Sequence, residues 1–309
     1  MLIWCRRIII NDPKLLKEKG PLLLASNHPN SFLDSVILDT IFHESVWNLA
    51  RGDAFKNKII SRILRALKML PVYRTSEGVE NLSENYKTFD ACIDIFKNNG
   101  IITIFSEGKC INEWHLRPLK KGTARLSIKA WEENIPLKVL PVGINYSSFN
   151  RFGKNIFINF GEPISKKDID FNEPDGLRHQ SFNLKLQKEL EQLVFEIPKT
   201  DKQKQKGLLE IKPSRIKQIL LAVPAAIGYL FHLPFFLPVK IFTSKKTRHT
   251  DHYDSVLTGI LLFTYPLYLL LFIFVFGIIT KSWWVICLLL LMPLAAWSYV
   301  QLKPQLDRR

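Results

Sequence analysis

Between residues 20 and 165, short apolar runs alternate with segments whose apolar residues recur at helical spacing. The runs at 21–26, 101–105, 137–145 and 155–160 are apolar almost throughout, which is typical of strands buried on both faces of a sheet. The segments between them carry apolar residues every three or four positions. The alternation predicts an α/β domain with a mostly parallel central sheet flanked by helices.

The C-terminal third of the chain is apolar over much longer stretches. Residues 256–279 and 283–300 contain no charged side chain, and each is long enough for a bilayer crossing, which needs about 20 residues. They predict a transmembrane hairpin. Basic residues lie before it at 244–249 and after it at 301–309, so the positive-inside rule places both ends in the cytoplasm. We therefore expect an integral protein of the cytoplasmic (inner) membrane.

A third apolar stretch, residues 219–239, has basic residues on both flanks and is interrupted by Pro224, Pro234 and Pro238. A single crossing would leave one basic flank outside, so the pattern favours a re-entrant or interfacial segment. We accordingly expect three regions. Their bounds are 1–197 for the α/β domain, 198–217 for a basic linker and 218–309 for an all-α membrane-associated region.

The charge balance narrows the class of partner. The chain of 309 residues carries 43 Lys and Arg against 28 Asp and Glu, a formal charge of +15, which suits a membrane surface, a phosphorylated substrate or a nucleic acid. Residues 55–70 predict an amphipathic basic helix, either resting on an anionic membrane or lying on an ordinary protein surface. The four cysteines have no metal-ligand spacing, so neither a metal nor a cofactor is expected.

The candidate chemistry begins with "SNHPNSFLDS", residues 26–35, directly after the first apolar run. On one helix His28 and Asp34 would lie about 120° apart and could not meet. They can pair only if His28 lies in the turn after the strand and Asp34 on the first turn of the next helix, capped by Asn30 or Ser31. Pro29 supports this arrangement because the residue before a proline avoids the helical region. Asp34 would then orient His28 as a general base.

Further polar residues follow later apolar runs in the same way. They are Arg74, then Glu107 and Gly108 with Lys109, then Lys120 and Lys121 before a glycine that opens a helix, and finally Pro141. Each of these residues alone is more often ordinary surface or turn chemistry. Their succession after several strands predicts one site at the carboxyl edge of the sheet.

These stretches, in this order and spacing, resemble the glycerolipid acyltransferases typified by 1-acylglycerol-3-phosphate acyltransferase. The resemblance covers residues 20 to about 165. It implies that His28 is the general base and Asp34 its partner, and that Arg74 binds the acceptor phosphate. It also implies substrate-binding roles for the remaining matching residues, which are Glu107, Gly108, Lys109, Lys120, Lys121 and Pro141.

The chain departs from the family pattern at two places. Five residues separate His28 from Asp34 where the common first block has four, a spacing similar to some glycerol-3-phosphate or dihydroxyacetone-phosphate acyltransferases. In the third block Ser106 stands where a proline is usual, and Cys110 where a basic residue is usual.

The resemblance implies a membrane-bound O-acyltransferase that moves a fatty acyl group from acyl-CoA or acyl-carrier protein to a hydroxyl of 1-acylglycerol-3-phosphate (lysophosphatidic acid). Glycerol 3-phosphate, another lysolipid or an aminolipid is an alternative acceptor. A catalytically inactive membrane scaffold of the same fold is a second alternative, favoured by the altered third block. A nucleic-acid partner fits the charge but no recognised binding module, so none is expected.

Overall fold

The computed structural model describes residues 5–73 and 84–307. In these residues seven strands form one sheet. They are β1 (Cys5–Ile10), β2 (Leu22–Ser26), β3 (Val46–Arg51), β4 (Met69–Val72), β5 (Ile101–Phe105), β6 (Lys138–Tyr146) and β7 (Lys154–Phe160). Their order across the sheet is β1-β7-β6-β2-β5-β3-β4. Neighbouring strands are parallel except β6 and β7, which are antiparallel.

The helices fall into two groups. Those around the sheet are α1 (Phe32–Ile41), α2 (Lys58–Ala66), α3 (Glu84–Lys97), α4 (Gly122–Glu132) and α5 (Asp175–Leu193). The later helices are α6 (Lys202–Leu209), α7 (Arg215–Lys246), α8 (Tyr253–Thr280) and α9 (Leu288–Leu302), the last preceded by a short 3-10 helix at Trp283–Cys287.

Both faces of the sheet are covered, as β2 shows by its alternation. Leu23 and Ala25 belong to a buried cluster with residues of α3, α4 and α5. Leu22 and Leu24 belong to a second cluster with residues of α1 on the opposite face. A strand buried on both sides must be apolar at every position, which is why the sequence run is continuous. The predicted fold class, a mostly parallel sheet flanked by helices and followed by apolar C-terminal helices, is confirmed.

Three of the later helices are long and apolar enough to cross a membrane. They are Arg215–Lys246, Tyr253–Thr280 and Trp283–Leu302, where the last includes the 3-10 turn. Most of their large apolar side chains are exposed in the structure. The last two coincide with the predicted hairpin. The orientation with both ends in the cytoplasm stays a prediction.

The stretch at 219–239 is not interrupted at its prolines. It lies inside the single helix α7, which continues through Pro224, Pro234 and Pro238. A proline removes one helical hydrogen bond, but neighbouring bonds can hold the helix together, so its presence does not end the helix. The helix is therefore a third candidate span, while the re-entrant or interfacial placement stays a prediction.

The predicted linker at 198–217 also contains regular structure. Helix α6 occupies eight of its 20 residues, and the side chains of Gln205 and Leu209 are buried. The sequence there is dominated by Lys and Gln, so the two anchoring positions are not visible as an apolar pattern. The segment is thus packed on the domain, and the proposed division into three regions stays a prediction.

Candidate active site

The turn after β2 is fixed to the neighbouring strand by its first residue. The Asn27 amide donates from Nδ2 to the Ile144 carbonyl at 3.0 Å, and its Oδ1 accepts from the Ile144 N–H at 2.8 Å. Asn27 thereby continues the β2–β6 pairing beyond the end of β2. His28, the next residue, is held at the carboxyl edge of the sheet, where open α/β folds place their sites.

His28 and Asp34 meet in the manner that the sequence predicts. His28 lies in the turn, and Asp34 lies in the first turn of α1. The distance from His28 Nδ1 to Asp34 Oδ2 is 2.9 Å. Asp34 is fully buried, whereas the His28 side chain is 15% exposed. The pair therefore has a buried carboxylate behind a ring that reaches solvent.

The cap of α1 differs from the prediction in one respect. Ser31 occupies the N-cap position, with φ of 56°, but its side chain makes no capping hydrogen bond. Its hydroxyl instead lies 2.7 Å from Nδ1 of His252. A backbone bond from the Asp34 N–H to the Ser31 carbonyl closes the turn.

Asp34 accepts from two further groups. The Tyr146 hydroxyl donates to Oδ1 at 2.6 Å, and the Asn30 backbone N–H donates to Oδ2 at 2.8 Å. Burial raises the pKa of Tyr146, and the nearby Asp34 charge raises it further, so this hydroxyl remains a donor. An ionised Asp34 can only accept, so the hydrogen between it and His28 must be on Nδ1. That tautomer leaves a lone pair on Nε2.

The plane of the His28 ring is set by an aromatic neighbour. Phe105, the last residue of β5, stacks on it with ring centroids 4.0 Å apart and an interplanar angle of 14°. Stacking fixes the ring in one plane while the bond to Asp34 fixes its rotation within that plane. Together they point one nitrogen of His28 away from Asp34.

Glu107 binds the protein backbone with both oxygens. Oε2 accepts from the His28 N–H at 2.9 Å, and Oε1 accepts from the Arg117 N–H at 2.8 Å. Burial raises the pKa of Glu107, and these two backbone bonds act in the opposite direction. This geometry is that of a cap that joins the turn carrying His28 to the segment at 117. Its predicted substrate contact stays a prediction.

The basic residues of the site lie on its surface. Gly108 has φ of +69°, a conformation that favours glycine, and a Cβ there would lie 3.0 Å from Cγ of Lys120. The backbone turn therefore brings the Lys120 side chain against the Glu107–Gly108 turn. Lys109, Lys120 and Lys121 are exposed. Their substrate-binding roles stay predictions.

Two predicted residues remain. Arg74 falls outside the described residues. Pro141 lies inside β6, buried, opposite Ala25 of β2, the strand that leads to His28. It lies in the body of the sheet, and its proposed substrate contact stays a prediction.

Three supporting residues were not identified from the sequence. They are Asn27, Phe105 and Tyr146. Each lies at or just beyond the carboxyl end of a strand next to His28, and that position is the signal that could have found them. Tyr146 comes directly after the run 140–145 that was singled out for Pro141.

Part of the chain is similar to known proteins. Residues 7–145 match the family model described as acyltransferase. Glycerol-3-phosphate O-acyltransferase 2 of Saccharomyces cerevisiae is 31% identical over 162 residues, which are 50% of this chain and 22% of that protein. Glycerol-3-phosphate O-acyltransferase 1 of the same yeast is 32% identical over 69 residues, 22% of this chain and 9% of that protein. The matches thus span at most about a fifth of these two relatives.

A solved structure is also similar. The 1-acyl-sn-glycerophosphate (LPA) acyltransferase PlsC from Thermotoga maritima has 18% sequence identity, with 60% of this chain and 72% of that chain covered and a TM-score of 0.41. A likeness of this size supports no structural argument.

The family model and the glycerol-3-phosphate O-acyltransferase relatives confirm the predicted resemblance: residues 7–145 match the acyltransferase family model, and half of the chain is similar to a glycerol-3-phosphate O-acyltransferase. The His28–Asp34 pair lies inside this region.

Proposed function

We propose that the chain is a membrane-bound O-acyltransferase that moves a fatty acyl group from an acyl thioester to a hydroxyl of a glycerol-phosphate acceptor, with His28 as the general base. The observation that carries the proposal is the His28–Asp34 pair, in which a buried carboxylate fixes Nδ1 and leaves the Nε2 lone pair of a partly exposed ring. The match of residues 7–145 to the acyltransferase family supports the reaction type.

The proposed chemistry needs only this chain and its two substrates. Nε2 of His28 removes the proton of the acceptor hydroxyl as the oxygen attacks the thioester carbonyl, forming a tetrahedral intermediate. The C–S bond then breaks, an ester is formed, and the thiolate leaves and takes the proton from the imidazolium. Asp34, supported by Tyr146 and Asn30, stabilises the imidazolium between these steps. Such general base catalysis contributes about 10² to 10⁴ in rate.

The acceptor phosphate would be bound by the basic residues of the family pattern. Lys120 lies against the Glu107–Gly108 turn, and that turn is bonded to the backbone of His28. A phosphate held there would bring the acceptor hydroxyl toward His28, which is a proximity contribution. Arg74, Lys109 and Lys121 are proposed as further phosphate contacts.

Two acceptors compete. The sequence pattern as a whole favours 1-acylglycerol-3-phosphate. The five-residue spacing between His28 and Asp34, together with the activity that names the two yeast relatives, favours glycerol 3-phosphate. The donor is acyl-CoA or acyl-carrier protein. The three candidate spans support association with membrane lipids, and we propose that the catalytic domain faces the cytoplasm.

The test is an acyl-transfer assay on the purified full chain in detergent or nanodiscs. Each acceptor is offered with one labelled acyl-CoA and then with the same acyl group on acyl-carrier protein. We expect an ester product with one of the two acceptors, and none with the His28→Ala variant. Transfer by His28→Ala at the wild-type rate would contradict the mechanism, and no product from any pair would contradict the activity.

A further inference from the structure

The start of helix α8 lies against the turn that carries His28. The Asn30 amide donates from Nδ2 to Oδ2 of Asp254, in the first turn of α8, at 2.7 Å. Just before the helix, His252 contacts the Ser31 hydroxyl, and Asp251 Oδ1 accepts from the Asn112 N–H at 3.2 Å. The residues that join the two candidate spans α7 and α8 therefore contact the candidate active site directly.

Asp254 is a buried charge with a buried partner. Asp254 is 3% exposed, and Lys154, at the start of β7, is 1% exposed. The two side chains form an ion pair. Removing one member of a buried pair leaves an uncompensated charge, whereas replacing both members with apolar residues is often nearly neutral. Asp254 is thus anchored to the sheet on one side and to Asn30 on the other.

These contacts form a closed ring of side chains that includes Asp34, the partner of His28. The Lys154 ammonium lies 5.7 Å from the centroid of the Tyr146 ring. The hydroxyl of Tyr146 donates to Asp34, which also accepts from the Asn30 N–H. Asn30 is therefore bonded to Asp34 by its backbone and to Asp254 by its side chain. It is 1% exposed, so water competes little for either bond.

We propose that Asn30 and Asp254 are positioning residues, through which the first turn of α8 holds the catalytic turn so that Asp34 and His28 stay aligned. This inference rests on the proposed acyl transfer. It gives the candidate membrane helix a part in the reaction beyond anchorage. A displaced catalytic group can lose about 10² in rate for a shift near 1 Å, so loss of this support acts on turnover.

The primary variant is Asn30→Ala in the full chain. It removes the bond to Asp254 but keeps the backbone N–H to Asp34 and the Lys154–Asp254 pair. We expect kcat to fall by about ten- to a hundredfold with KM changed less than about twofold, because Asn30 acts on the base and not on the substrate. A higher KM at unchanged kcat, or wild-type values of both, would overturn the proposal.

A matched control and a second variant separate positioning from stability. Glu18 forms a surface ion pair with Lys138, the first residue of β6, at the opposite end of that strand from Tyr146, so Glu18→Gln keeps wild-type kcat. The double variant Lys154→Met with Asp254→Leu removes the pair without an unpaired charge, and it should lower kcat as Asn30→Ala does. Adding Asn30→Ala to this double variant should cause no further loss. Multiplying losses would show that the two residues act separately, against the proposal.

A readout that does not depend on acyl transfer keeps the two hypotheses apart. Diethyl pyrocarbonate acylates a neutral imidazole nitrogen, and the modification of His28 can be followed by mass spectrometry. We expect the rate at His28 to change several-fold in Asn30→Ala and to match the wild type in Glu18→Gln. An unchanged rate overturns the positioning role. Absence of acyl transfer in the wild type, with a changed modification rate, counts only against the proposed function.

Discussion

The catalytic turn, residues 27–34, and helix α2 use their polar and apolar side chains in opposite ways. In the turn, Asn27, Asn30 and Asp34 are buried, and their polar groups bind other parts of the chain. In α2 no residue is buried, and Ile59 and Ile63 are 69% and 54% exposed. The polar side chains of the turn find their partners within the chain, whereas the apolar side chains of α2 lie exposed at the surface.

This difference shows which of the two regions has its conformation fixed by contacts within the chain. A buried polar group is costly unless it is bonded, so the turn can adopt few other arrangements. The segment 56–68 holds five basic residues and no acidic one, and exposed apolar side chains flank them. The structure thus shows α2 as an exposed amphipathic helix, and its contact with an anionic membrane stays a prediction. Changes in the two regions should differ greatly in effect.

The largest effect is expected for His28→Ala. We expect the rate of acyl transfer to fall by about 10² to 10⁴ or more, because the variant removes the proposed general base. Initial rates with saturating donor and acceptor measure it. The variant also removes one hydrogen-bond donor from the buried Asp34, so it should unfold about 1.5–3 kcal/mol more easily. Rates are therefore compared at a temperature where both proteins are folded, and a variant that is unfolded there would report unfolding instead.

Tyr146→Phe removes one donor from the buried side of Asp34. We expect unfolding to become easier by about 1.5–3 kcal/mol, the usual worth of a hydrogen bond to a charged group. Transfer should slow less than in His28→Ala, since the base remains. Thermal or denaturant unfolding in detergent, together with initial rates, measures both. Wild-type stability and rate would show that the Tyr146–Asp34 bond contributes little.

Glu107→Gln probes the link between the catalytic turn and the segment at 117. Glutamine offers one carbonyl oxygen for two backbone N–H groups, so one of them loses its acceptor. We expect a loss of about 1–3 kcal/mol in stability, the cost of a buried unsatisfied group. Hydrogen exchange at the His28 and Arg117 amides should become faster. Unchanged exchange at both amides would contradict the capping role of Glu107.

The exposed ion pair of His115 and Glu196 should have a small effect on the free energy of unfolding. His115 Nδ1 lies 2.7 Å from Oε2 of Glu196, and this hydrogen bond raises the pKa of His115 above its ordinary 6.5. The stabilisation is complete below about pH 6.5 and is lost as the pH rises through the raised pKa. Because both side chains are largely exposed, we expect less than about 1 kcal/mol. Unfolding of wild type and His115→Gln between pH 5 and 9 measures it, and parallel curves would contradict it.

The smallest effect is expected for Ile63→Ser on α2. We expect a change below about 0.5 kcal/mol in unfolding free energy in detergent, because surface substitutions away from special contacts rarely do more. Leu38→Ala in the buried face of α1 is the control, with a loss of about 2–5 kcal/mol. A loss for Ile63→Ser near that of Leu38→Ala would show that α2 packs against something.

Much of the fold follows from local pattern. Continuous apolar runs predicted the buried strands, and long uncharged runs predicted the last two candidate spans. The placement of His28 in a turn and Asp34 on the following helix followed from helical geometry and Pro29, because these residues are close in sequence.

Distant contacts could not be read in this way. Tyr146 lies 112 residues from Asp34, and Asp254 lies 224 residues from Asn30. No periodicity reports that such residues meet, because their meeting depends on strand order and on how the later helices pack. The continuity of α7 through three prolines is likewise decided by the whole helix, whereas each proline taken singly favours a break.

Strand β2 is the fourth of seven in the sheet, so three strands lie on each side of the one that leads to His28. Its immediate neighbours β5 and β6 supply Phe105 and Tyr146, while the marginal strands β1 and β4 supply neither. The candidate site is thereby built on the middle of the sheet. New loops or fusions are best introduced beside β1, because β4 ends two residues before Arg74, a proposed phosphate contact.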